Sequence, residues 1–118
     1  MKKLLLASTI TALLLTSVVT APKVQAANIA QSVCEYVAAD NKKRMRSFLK
    51  SNRLKIRKIF GNIKCNGQNL LQFAANKGSV KTGTLMISKL PKKTVSSILA
   101  LINEESPLFD AANARVGS

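Results

Sequence analysis

The stretch NGQNLLQFAANKGSVKTGTLMISKLP, residues 66–91, decides the fold class. Asn66-Gly67 reads as a turn that opens a compact apolar pattern, Leu70-Leu71 with Phe73-Ala74-Ala75, stopping at Gly78. Apolar positions three and four apart describe one face of a helix, and a glycine just beyond them is a common C-terminal stop. Ala74 and Ala75 leave room for a neighbouring helix to approach closely. Ser79 stands in N-cap position for a second helix carrying Val80, Leu85, Met86, Ile87 and Leu90. Pro91 ends that helix near Leu90, because the residue before a proline is pushed away from helical geometry.

Working outward, the same spacing continues on both sides. Toward the C-terminus, Thr94 is placed to cap a helix with Val95, Ile98, Leu99, Leu101 and Ile102 as its stripe. Ser106-Pro107 breaks it, Pro107 suits the first turn of a short final helix through Ala112, and Arg115 to Ser118 form a frayed tail. Toward the N-terminus, a helix from Asn28 presents Ile29, Val33, Tyr36 and Val37, and Asp40 or Asn41 ends it and caps the next. From Lys42 to Phe60 the positions Met45, Phe48, Leu49, Ile56, Ile59 and Phe60 predict one basic amphipathic helix, or two broken near Ser51-Asn52, stopping at Gly61-Asn62. A strand over Leu54 to Ile59 is the rival there, but its alternation fails at Lys58-Ile59-Phe60. Strand signals are scarce elsewhere. The expectation is an all-α, small single domain of five or six short helices on one core.

The first 26 residues belong to a different physical problem. Lys2 and Lys3 precede an apolar run from Leu4 to Thr20, followed by small residues around Val24-Gln25-Ala26. That is the order of a secretory signal peptide, with cleavage expected after Ala26. Ser8, Thr9, Thr11, Thr16 and Ser17 dilute the run, and Pro22 and Lys23 sit where a retained span would stay apolar. The expected organisation is therefore a signal peptide over residues 1–26 and a basic helical domain over 27–118, exported and periplasmic or secreted. The domain is short enough to gain from a covalent staple. The chain has two cysteines, Cys34 and Cys65, both in the exported part. Paired within the chain they form one structural disulfide; the alternatives are an intermolecular bond, or a redox or metal pair, which would want closer spacing or histidine help.

Charge narrows the functional classes. The chain has 19 Lys and Arg, 5 Asp and Glu and no histidine, and between Asp40 and Glu104 it has fifteen cations and no acid. A domain so charged attracts polyanions. General acid–base or nucleophilic chemistry would draw on Glu35, Asp40, Glu104, Glu105 and Asp110, which form no paired constellation; Glu35 reads as a local ion partner for a cation. No enzyme, cofactor or metal site is expected. The candidate contact face for an anionic surface is Lys42, Lys43, Arg44, Arg46, Lys50, Arg53, Lys55, Arg57 and Lys58, with anionic lipid or an envelope polyanion as partner. The alternative is an accessory protein that binds another envelope protein through its helical surface. Specific nucleic-acid binding is not expected, because the few aromatics, Tyr36, Phe48, Phe60, Phe73 and Phe109, fall mostly on core stripes.

Two resemblances accompany this reading. The order Val33-Cys34-Glu35-Tyr36, a basic stretch, then Cys65-Asn66-Gly67, Leu70-Leu71 and Phe73-Ala74 resembles a family of small exported gammaproteobacterial proteins described only as a domain of unknown function. The likeness spans Val33 to Leu90 and implies a periplasmic or secreted location and a structural role for both cysteines. Residues 67–79 are also similar to one ankyrin repeat, with Met86-Ile87 in place of the leucine pair of its second helix. The segment Tyr36 to Leu49 is a weaker echo with Phe48-Leu49 as its pair. The pairs lie 38 residues apart against an ankyrin period of about 33, which implies a shared helix-turn-helix packing solution.

Overall fold

In the computed structural model, which describes residues 21–117 and side chains from residue 27, three helices end by the same device. Helix α1 spans Ala21–Ala38, α2 Lys42–Ser51 and α4 Leu70–Lys77. Each is followed by a residue in the left-handed region: Asp40 (φ 54°), Arg53 (φ 55°) and Gly78 (φ 71°). The amide one residue further on then reaches back to the last turn, Asn41 to the Tyr36 carbonyl (2.9 Å), Leu54 to Leu49 (2.8 Å) and Ser79 to Ala74 (2.8 Å). These bonds satisfy carbonyls that the helix leaves unpaired and turn the chain sharply, which makes short helices pack back on one another.

The question of one helix or two over Lys42 to Phe60 is thereby answered as two. After the turn at Arg53 comes α3, a single turn at Ile56–Ile59 that tightens into a 3-10 turn at Phe60–Asn62. Asn52 assists the break, its side-chain amide donating to the Phe48 carbonyl at 2.8 Å. The chain then forms a hairpin of two-residue strands, β1 Lys64–Cys65 and β2 Gln68–Asn69, paired antiparallel with Cys65 opposite Gln68. Asn66 (φ 55°) and Gly67 (φ 77°) both adopt left-handed backbone, as a tight hairpin turn requires. The mostly helical fold stands as expected, and it carries one small hairpin that the sequence did not announce, because strands this short show no alternation to read.

Helix α5 covers Val80–Lys89, α6 Lys92–Ile98 and α7 Pro107–Gly117, giving seven short α-helices among the described residues rather than five or six. Helix α1 starts earlier than Asn28, with Pro22 in its first turn where a missing amide costs nothing. Residues 1–20 of the expected signal peptide lie outside the described residues. Helix α6 starts from Pro91 rather than Thr94: Pro91 is extended (ψ 147°) with φ fixed at −61°, and its carbonyl accepts the Val95 amide at 3.1 Å. Leu101 leaves the apolar stripe and is 52 % exposed, because the chain tightens into a 3-10 turn at Leu99–Leu101. Helix α7 runs to Gly117 rather than stopping at Ala112. Its Arg115 guanidinium donates to the Leu90 carbonyl at 3.0 Å and so ties the expected tail to the end of α5.

One core gathers these elements. Val33 and Val37 of α1, Met45 and Leu49 of α2, Leu70, Leu71 and Ala74 of α4, Met86 and Ile87 of α5, Val95 of α6 and Leu108 and Ala112 of α7 are all buried in it. The Tyr36 and Phe48 rings meet edge to face at 5.5 Å between centroids on its margin. Cys34 and Cys65 form the disulfide, with Cα atoms 5.8 Å apart, and it joins α1 to β1.

Candidate functional site

The basic stretch folds into a groove rather than a face. Helix α2 carries Lys42, Lys43, Arg46 and Lys50 along one side of it, Lys55 and Arg57 follow at the start of α3, and α5 supplies Lys81 and Lys89. The groove is an open depression of about 1030 Å³ and all eight cations are exposed. On α5 the lining sequence Lys81, Leu85, Lys89 follows a four-residue step, so the three lie in a line one above another. On α2 the steps from Lys42 or Lys43 to Arg46 to Lys50 do the same.

Asp40 fixes where the two rows begin. It is the one carboxylate among the groove-lining residues. Its Oδ1 accepts the Thr82 amide at 2.8 Å and the Thr82 hydroxyl at 3.2 Å, and its Oδ2 accepts the Lys81 amide at 3.3 Å. The side chain therefore caps α5 from 42 residues away, setting a negative charge at the positive end of that helix. Ser79, expected as the cap, is buried and turns its hydroxyl to the Val37 carbonyl instead. Asn41 caps α2 by accepting the Arg44 amide at 3.1 Å, as the sequence suggested. Both rows thus start at the α1–α2 junction, and the carboxylate in the groove is engaged with backbone donors.

Leu49, Leu54, Ile56 and Leu85 form the apolar floor. Leu49, Ile56 and Leu85 are 7 %, 4 % and 9 % exposed and Leu54 is half-buried, so the floor gives the groove its shape with Leu54 as its partly open floor leucine. No aromatic residue lines it. Eight positive charges against one carboxylate concentrate anions, an effect that weakens as salt shortens the Debye length, about 8 Å at physiological ionic strength.

Six of the nine sequence-predicted residues line the groove: Lys42, Lys43, Arg46, Lys50, Lys55 and Arg57. Arg44 instead borders a shallower depression with Tyr36 and Phe48, while Arg53 occupies the left-handed turn and Lys58 does not line the groove. Lys81 and Lys89 were missed. The signal for them was their four-residue spacing about Leu85, in a helix read solely for its core. Glu35 accepts from the Gln31 amide at 3.3 Å rather than pairing with a cation. Glu104, Glu105 and Asp110 lie exposed on or before α7, away from the groove. Among the described residues no group of three or more potential metal ligands occurs, and no helix is long and apolar enough to cross a membrane.

The chain belongs to the DUF3718 family, whose description is a protein of unknown function and whose profile matches residues 33–97. That span contains both cysteines and every groove-lining residue, and ends before α7. No curated protein and no solved structure matches the chain.

Proposed function

We propose that this DUF3718 chain is a non-enzymatic, exported envelope protein that binds an anionic surface or polymer through its basic groove. The observation that carries the reading is the convergence of eight cations from α2, α3 and α5 on one groove whose single carboxylate is committed to capping α5. Charges collected from three elements into one concavity raise the local anion concentration more than the same charges spread over a solvated face. The carboxylates are dispersed, which supports binding over acid–base catalysis. Export is supported by the order of Lys2-Lys3, apolar run and small residues, and by a disulfide suited to an oxidising compartment. Edman sequencing of protein from the envelope fraction should therefore begin at Ala27.

Co-sedimentation of the mature chain with anionic and neutral vesicles, each at low and high salt, tests the binding. Retention on anionic vesicles at low salt, lost at high salt and lost when Lys42, Arg46, Lys50 and Arg57 are reversed to Glu with helicity intact, is the expected result. Equal retention on neutral vesicles, or indifference to the reversal, overturns it.

A further inference from the structure

We infer that the groove holds a linear, phosphate-bearing polyanion lengthwise between the α2 and α5 rows, and that Lys81 and Lys89 are the second row of its contacts. The inference rests on the anion-binding reading above and adds to it the shape of the ligand.

Three features separate a strand-like ligand from a flat one. The first is that the cations come in two rows on different helices, both beginning at Asp40. Eight residues separate Lys42 from Lys50 and Lys81 from Lys89, about 12 Å of helix at 1.5 Å per residue. A flexible chain of repeating phosphates can lie along both rows at once. A bilayer is planar and engages the rims alone. The second is the floor. With Leu49, Ile56 and Leu85 each under a tenth exposed, Leu54 is the floor leucine left partly open, too little surface to bury an acyl chain, so charge leads in holding the occupant. The third is the absence of aromatic lining residues, which leaves nothing for bases or sugar rings to stack on. Recognition is confined to the backbone charge of the ligand, for which phosphate is the natural match to Lys and to the planar Arg46 and Arg57 forks.

The test is titration calorimetry of the mature chain with soluble inorganic polyphosphate, using two pairs of neutralising substitutions that change net charge equally. Lys81→Gln with Lys89→Gln removes the α5 row; Arg44→Gln with Lys58→Gln removes two cations outside the groove. Each phosphate-contacting cation contributes about 0.7 to the slope of log affinity against log salt for a single strand. The α5 pair should therefore lower affinity on the order of tenfold at 0.1 M salt and reduce that slope by about 1.4. The outer pair should change affinity less than about threefold and leave the slope near wild type, since it alters only the distant field. Thermal melts confirm that both pairs remain folded. Equal losses from the two pairs, or wild-type affinity in the α5 pair, overturn the groove assignment while anion binding stands. A wild-type chain that binds neither polyphosphate nor anionic vesicles overturns both readings, and one that binds vesicles but not polyphosphate overturns the linear ligand alone.

Discussion

Helix α5 divides the molecule into two unlike halves. On one side its Lys81-Leu85-Lys89 line faces α2 and α3 across an open groove. On the other, Gly83 lies so close to α7 that a Cβ would overlap the Leu108 side chain, and Arg115 closes over the Leu90 carbonyl. The open half is rich in like charge, which pushes elements apart; the closed half is apolar and tightly packed. The comparison teaches that the groove gathers like charges on elements that do not attract one another there, so its shape depends on a frame that other contacts hold. That frame consists of the disulfide at one end and the α5–α7 packing at the other.

The strongest way to break the comparison is to remove the covalent part of the frame. Cys65→Ser opens the loop closed between α1 and β1 and should cost about 2 to 5 kcal/mol, enough to prevent folding of so small a domain. Urea denaturation with and without reductant measures it, and an unchanged midpoint would show that packing alone supports the open half.

Next in size is the closed half. Gly83→Ala places a methyl group where Leu108 already sits, so α5 and α7 must separate or Leu108 must leave its rotamer, at a cost of about 1 to 3 kcal/mol. The readout is the midpoint of thermal unfolding. If the two halves are mechanically distinct, polyphosphate affinity should stay within about twofold of wild type, since no groove cation is touched.

Asp40 belongs to both halves and sharpens the distinction. Asp40→Ala deletes the cap of α5 and puts alanine in a left-handed turn, which should cost about 1 to 2 kcal/mol. Asp40→Asn keeps an acceptor and tolerates the turn, so it should lose less than half of that. Removing the one negative charge from the groove should also strengthen polyanion binding. A chemical melt and a titration of the same Asn variant separate the two effects, and weaker binding would mean that the carboxylate positions the groove more than it opposes the ligand.

How much of this was legible follows from how local each feature is. Val33 with Val37, Met45 with Leu49 and Val95 with Ile98 are pairs within one helix, and their apolar spacing announced their burial. The Asn66-Gly67 turn, the Gly78 stop and the two cysteines were readable for the same reason. The cap of α5 was not, since its acceptor lies 42 residues away and displaces the adjacent Ser79. The groove was half legible. An acid-free basic run states composition but not direction, so it included Arg44, Arg53 and Lys58, which do not line the groove. It omitted Lys81 and Lys89, which join the site because the core brings α5 against α2.

The smallest predicted effect concerns the turns that shape the open half. Asp40, Arg53 and Gly78 perform the same backbone task, and Gly78 does so without a Cβ. For an L-residue the left-handed conformation costs roughly 1 to 2 kcal/mol, because Cβ crowds the following carbonyl. Arg53→Gly removes that crowding, although glycine also gives the unfolded chain more freedom to lose. The two terms leave a net stabilisation of about 0.5 to 1 kcal/mol. Arg53 is exposed and outside the groove, so its guanidinium contributes neither packing nor a ligand contact to offset the gain. Differential scanning calorimetry should show a higher midpoint for Arg53→Gly and polyphosphate affinity close to wild type. A lower midpoint would mean that the arginine side chain braces the α2–α3 turn, placing Arg53 with the frame rather than with the open half.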